Sequence, residues 1–153
     1  HSVWQMFLNF VEFWELYKPT LIETEVHLFS DELEVAGTCD LIVEIDGELW
    51  LLDLKTSNHM HLIYEVQTAI YGKCYEECYG KKIKKYGVLW LKSSKRKLNK
   101  EKMTGKGWEV VLPTKTYDEN ISIFKLLQQL WKINNHKPTP TQSDFRTVIK
   151  REL

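Results

Sequence analysis

Along residues 3–17 apolar side chains fill almost every position, while Ser2, Gln5, Asn9, Glu12 and Glu15 recur every three or four residues. That spacing is helical, and so narrow a polar stripe predicts a helix buried over most of its surface. Lys18-Pro19 closes it, because proline disfavours helical backbone at the residue before it. From 20 to 29 the period shortens to two. Ile22, Thr24, Val26 and Leu28 fall on one face, and Glu23, Glu25 and His27 on the other, which is a strand pattern. Residues 30–33 supply a turn. Residues 34–45 and 48–55 form two further strands, joined by Asp46-Gly47, the dipeptide preferred in a type I′ hairpin turn. A helix follows over 61–79, with Gly80 as its stop. Residues 85–92 and 107–113 are strands, the second ended by Pro113. Residues 118–135 form a helix with Asp118 as its cap. From Lys137 two prolines predict an extended tail before a short last helix. No repeat or low-complexity segment interrupts this order. Strands interspersed with helices predict an α/β fold, a mixed central sheet of about five strands flanked by helices.

The hairpin has a consequence for charge. A two-residue turn at Asp46-Gly47 pairs Ile45 with Glu48, then Glu44 with Leu49, and so on down both strands. Asp40 then lies directly opposite Asp53, where Cβ atoms are about 4.5–5.5 Å apart. Lys55 shares the Asp53 face. The other face reads Cys39, Leu41, Val43 and Ile45 against Trp50, Leu52 and Leu54, and is expected to pack on a helix. Opposed like charges destabilise a strand pair. A raised carboxyl pKa, the Lys55 ammonium as a salt bridge, or a divalent cation between the carboxylates would each offset this. Spacing alone leaves these alternatives open.

Composition narrows the setting. The 153 residues suit one domain, spanning 1–153, and no apolar run reaches the roughly 18 residues of a membrane span. No membrane partner is expected. Cys39, Cys74 and Cys78 are an odd set without framework spacing, as in a reducing, cytoplasm-like compartment. Cys74 and Cys78 are expected to pack a helix rather than bind metal. Net charge is zero, so any attraction for nucleic acid must be local. The basic residues cluster at 81–85 and 92–106, where a phosphate contact and a solvated loop are both open readings. There is no Gly-rich phosphate loop, no GxSxG elbow and no zinc spacing. His59-Met60-His61 reads as solvent-facing rather than metal-binding.

Three ordered motifs carry a resemblance. Gly37-Thr38-Cys39-Asp40, followed by Asp53-Leu54-Lys55-Thr56-Ser57, resembles the GxxD and (D/E)xK motifs of the PD-(D/E)xK nuclease superfamily. On the following helix, Gln67-Thr68-Ala69-Ile70-Tyr71 is similar to the QxxxY motif of the RecB-like exonuclease branch, as in phage-type members. Each motif alone is short, and their order on the right element types is what makes them specific. The resemblance spans roughly residues 20–92. It implies a restriction-endonuclease-like core and metal-dependent hydrolysis of DNA phosphodiesters. Asp40, Asp53 and the backbone carbonyl of Leu54 would be ligands of Mg²⁺ or Mn²⁺, and Glu25 an accessory acid. Lys55 would orient or activate the attacking water and stabilise developing charge. Gln67 and Tyr71 would contact the DNA backbone or brace the site. Lys95, Arg96 and Lys97 are the residues of the basic loop expected to meet phosphates.

The chain departs from that family in two respects. Members usually carry a metal-binding histidine on an upstream helix. Here the chain begins at His1, which is not assigned that role, so an upstream segment is expected to be missing. Some relatives hold an iron–sulfur cluster through four cysteines, whereas three cysteines at other places lead us to expect none. The leading functional expectation is an exonuclease in recombination or DNA processing. The alternatives are a weak or inactive DNA-binding or assembly module of the same fold, and a structure-specific endonuclease. DNA is the expected partner. A second copy of the chain or a recombination protein is the further partner that the apolar first helix suggests.

Overall fold

The structure is a computed structural model that describes residues 2–92 and 107–135. Its elements are α1 (Ser2–Tyr17), β1 (Thr20–Ser30), β2 (Val35–Ile45), β3 (Glu48–Lys55), α2 (Leu62–Tyr79), β4 (Lys85–Leu91), β5 (Trp108–Val111) and α3 (Tyr117–Asn134). The strands form one sheet in the order β1-β2-β3-β4-β5. β1, β2 and β3 run antiparallel in sequence, β4 joins β3 in parallel, and β5 returns antiparallel. A parallel step needs a crossover, and α2 is that crossover.

Helices cover both faces of the sheet. On one side Val66, Ile70, Cys74 and Tyr75 of α2 pack with Val26, Leu28, Ile42 and Leu51, and α3 adds Ile121, Ile123 and Phe124 at the edge. On the other side Phe13 of α1 packs with Leu41, Val43, Ile45, Leu52, Leu89 and Trp108. Local chemistry sets the boundaries. Asp46 and Gly47 both take positive φ, 52° and 75°, as a type I′ turn requires. Gly80 ends α2 in the left-handed region, its N–H bonded to the Glu76 carbonyl.

Several expectations need correction. α1 is not buried over most of its surface. Phe13 and Asn9 are buried, but Val3, Trp4, Phe7, Leu8 and Leu16 stand in solvent. An almost wholly apolar helix does not say which side faces the sheet. Here a polar member of the stripe, Asn9, points inward. Its amide donates to the carbonyls of Lys92 (2.6 Å) and Gly107 (2.7 Å), and Gln5 donates to its oxygen. In β1 the alternation holds at Val26, Leu28 and Ser30, but Ile22 is exposed at the irregularity where the pairing with β2 shifts register between Leu21 and Glu23. The cap of α3 is Thr116, not Asp118. Its hydroxyl accepts from the Glu119 N–H (3.3 Å), and the Glu119 carboxylate accepts from the Thr116 N–H (2.8 Å). This reciprocal box lies two residues before the expected cap. Cys74 is buried and Cys78 half-buried on α2, as packing thiols. Among the described residues no helix is long and apolar enough to cross a membrane.

Candidate active site

The turn carries its register along the hairpin. The paired residues are Ile45 with Glu48, Glu44 with Leu49, Val43 with Trp50, Ile42 with Leu51 and Leu41 with Leu52. The next step would set Asp40 opposite Asp53, but the ladder stops at Leu41 and Leu52. β2 instead continues along β1, pairing Cys39 with Val26 and Thr38 with His27. β3 continues along β4, pairing Asp53 with Val88 and Lys55 with Trp90. The two strands therefore fork at the acidic pair.

The Asp40 carboxylate fills the fork. Its Oδ2 accepts the Leu54 N–H at 2.7 Å, the bond that the ladder would otherwise have provided. In an extended strand the N–H and C=O of one residue point to the same side, so the Leu54 carbonyl also faces the fork. The fork also turns Cys39. Strict alternation puts Cys39 on the face of Leu41 and Val43, but it packs instead with Val26, Ile42 and Leu51 beneath α2. Burial pushes its thiol up to about 12, so it is an inert core group. Beside it Glu25 takes φ 52° within β1, between the pairs Thr24–Leu41 and Val26–Cys39. Glu25 is exposed. Among the described residues no three His, Cys, Asp or Glu side chains gather as a metal cluster, so Glu25 is not drawn in with the two aspartates.

Asp53 is only 2% exposed. Burial raises its carboxyl pKa, the Lys55 ammonium opposes this, and the charge and hydrogen-bonding contact of Asp40 push it up further. Asp40 in turn accepts the N–H of Leu54, the residue next to Asp53. The Lys55 ammonium lies 2.5 Å from Asp53 Oδ2. That ammonium is the partner of this buried oxygen. Two carboxylates and a carbonyl at the fork form a hard donor set of the kind that suits Mg²⁺ or Mn²⁺, with Lys55 paired to one of them. Phosphate and water oxygens would complete such a shell.

The wall of the site comes from α2. Gln67 donates to the Tyr71 hydroxyl at 3.0 Å. Burial raises the Tyr71 pKa, opposed by that bond and reinforced by the Asp53 charge, so the phenol stays protonated. Gly37 lets the ring approach β2, because a Cβ there would lie 2.7 Å from Tyr71 Cε1. One turn earlier the Tyr64 ring faces the Lys55 ammonium, 5.1 Å from its centroid. On β4, Trp90 donates its indole N–H to the Ser57 carbonyl (2.7 Å), and Lys92 lies over its ring (4.6 Å). Sequence reasoning missed Tyr64, Trp90 and the contact role of Gly37. The spacing of Tyr64, Gln67 and Tyr71, three and four residues apart, placed them on one helix face and could have revealed Tyr64.

Other candidates lie elsewhere. The lysines at 81–85 precede β4, and Lys85 pairs with Trp50, five residues along the strands from Lys55 and so roughly 16 Å away. His59 and His61 are exposed, and the His61 ring stands edge-on to Tyr64. Lys95, Arg96 and Lys97, the tail from Lys137 and His1 lie outside the described residues.

No family model and no curated protein matches the chain. A solved structure does: a candidate exonuclease from Eubacterium rectale, 15% identical, with a TM-score of 0.52 over 81% of this chain and 48% of that one. The chain has a restriction-endonuclease-like α/β core. It spans about half the length of that structure, and at this identity the likeness speaks for the fold alone.

Proposed function

We propose that the chain is a divalent-metal-dependent DNA nuclease of RecB-like PD-(D/E)xK type, acting as an exonuclease in recombination or DNA processing. The observation that carries this reading is the fork, where the Asp40 carboxylate holds the Leu54 N–H beside buried Asp53 and its partner Lys55. Lys55 offsets only part of the cost at Asp53, whose pKa burial and the second carboxylate raise, and a cation held by both acids would offset the rest.

Asp40, Asp53 and the Leu54 carbonyl would hold Mg²⁺ or Mn²⁺. Bound there, the ion would supply Lewis acidity at a phosphoryl oxygen and a nucleophile at neutral pH. Lys55 is the nearest cation to that gap and stabilises negative charge that develops on the phosphorane oxygens, or orients the attacking water. The Leu54 N–H holds Asp40 in the fork, which spares the site the cost of ordering that side chain when substrate arrives. Tyr71, buttressed by Gln67 and seated on Gly37, closes the α2 side and braces Asp53 or a backbone phosphate. The wider assignment of DNA as substrate rests on the motifs together with the exonuclease-named structural neighbour.

The test is cleavage of linear and covalently closed DNA with Mg²⁺, Mn²⁺ or EDTA. The expected result is end-dependent loss of linear DNA that EDTA, Asp53→Asn and Lys55→Ala each abolish. Nicking of the closed circle would instead make the chain an endonuclease. Metal-independent binding without cleavage would make it a DNA-binding module.

A further inference from the structure

We infer that Lys92 is a second phosphate contact beside the fork, and that the Glu109 carboxylate occupies it until DNA arrives. The inference rests on the nuclease reading and deepens it, by naming where the backbone next to the cleaved bond is held. Leu52, Leu54, Leu89, Leu91, Trp108 and Val110 pack on the α1 side of the sheet. Asp53, Lys55, Trp90, Lys92 and Glu109 alternate with them and therefore share the α2 side. Lys55 is paired with Trp90, and Lys92 lies two residues further along. With strands about 4.8 Å apart and about 3.3 Å per residue, the two lysines are roughly 8 Å apart at Cα.

Three observations set Lys92 apart from an ordinary surface lysine. Its backbone is pinned, since its N–H donates to the Gly107 carbonyl (2.8 Å) and its own carbonyl accepts from Asn9 (2.6 Å). Its ammonium lies over the Trp90 ring, 4.6 Å from the centroid, and the bond from that indole to the Ser57 carbonyl (2.7 Å) fixes the ring. The ring face attracts the cation without neutralising it. Its anionic partner is Glu109 Oε2 at 2.7 Å, on a side chain 52% exposed. An ion pair so open to water adds little to folding. It does hold a carboxylate oxygen where a phosphate oxygen, equally anionic and equally an acceptor, would sit. Backbone and ring already order the ammonium, so exchanging carboxylate for phosphate needs only Glu109 to swing away. Lys55 then serves the cleaved phosphodiester and Lys92 an adjoining one.

The experiment measures binding of a fluorescein-labelled linear DNA by anisotropy across a salt series. The protein carries Asp53→Asn, with Mg²⁺ present, so that the DNA stays intact. Lys92→Gln is expected to raise the Kd about three- to tenfold and to lower the slope of log K against log salt by about 0.9, the share of one phosphate. Glu109→Gln is expected to lower the Kd about threefold, and that gain should vanish in the Lys92→Gln background, because both changes act on one contact. Glu48→Gln unpairs Lys85 (3.3 Å) at the other end of the strands and should leave the Kd within about twofold, its charge being screened at that distance. With Asp53 restored, Lys92→Gln should raise KM for cleavage more than it lowers kcat. An unchanged Kd in Lys92→Gln, a Glu109→Gln gain that survives in that background, or an equal gain from Glu48→Gln overturns the proposal and leaves the nuclease reading standing. Absence of DNA binding and of metal-dependent cleavage in the wild type overturns both.

Discussion

Asp53 is the residue on which folding and function pull apart. Burial and the neighbouring Asp40 raise its carboxyl above the ordinary aspartate range, and Lys55 only partly opposes them. A carboxyl raised on folding binds its proton more tightly in the folded chain than in the unfolded one. Stability then falls as pH rises from the ordinary aspartate value, about 4, through the raised value, and the loss persists at neutral pH. Metal-free Asp53→Asn is therefore expected to melt above the wild type at pH 7. The gap should shrink below about pH 4, where both states of the wild type are protonated. Thermal melts in EDTA across that range check this, and a variant less stable than wild type at pH 7 would show that Lys55 outweighs burial. The same substitution should abolish cleavage. Gly37 makes a separate prediction at this scale. A methyl group there would meet the Tyr71 ring at 2.7 Å, so Gly37→Ala is expected to cost about 1–3 kcal/mol in denaturant melts and to lower activity with it.

Among the helices and strands, short-range chemistry delimits each one, and long-range bonds decide how they sit. The Thr116 capping box is local. Thr116→Ala should cost about 1 kcal/mol, read as a shift in the unfolding midpoint, with little effect on cleavage. Asn9 is not local. Its amide ties α1 to two backbone carbonyls, those of Lys92 and Gly107, which flank the basic segment. Gly107 is small where the Asn9 side chain passes, since a Cβ would collide with its oxygen. Asn9→Ala leaves both carbonyls without this donor, and is expected to destabilise by about 1–3 kcal/mol, again measured by denaturant melts. The β2–β3 hairpin was readable residue by residue, because two positive-φ positions at the turn set every pair behind them. The fork was not readable. It arises because β2 follows β1 past Leu41 while β3 follows β4, and no pattern within either strand announces that choice.

For the molecule as a whole, net charge is zero and attraction for DNA has to come from where the basic residues sit. The lysines at 81–85 are at the end of β4 remote from the fork. Lys92, at the near end, is paired with Glu109 at 2.7 Å and lies over Trp90. The segment that follows Lys92 holds Lys95, Arg96 and Lys97, and we propose that these meet phosphates. Replacing all three with alanine is expected to weaken DNA binding and to flatten the dependence of log K on log salt, by about 0.9 for each phosphate that is no longer neutralised. Unchanged affinity across a salt series would leave that segment without a role in binding. Among the described residues, exposed apolar side chains include several of α1 and Leu126, Leu130, Trp131 and Ile133 on α3.

What depends on neighbours a few residues apart was already written in the chain. The Asp46-Gly47 turn set the hairpin register from Ile45–Glu48 to Leu41–Leu52. The spacing of Gln67 and Tyr71 set one face of α2, and Gly80 ended it. These are consequences of backbone sterics and strand or helix period, which act at short range. Packing in three dimensions was needed to settle which side of the apolar α1 is buried, that Asn9 would turn inward, that Cys39 would change faces, and that Tyr71 needs the space at Gly37. Each of those follows from contact between elements distant in sequence, where several faces of one segment are equally apolar and the partner, not the pattern, makes the choice.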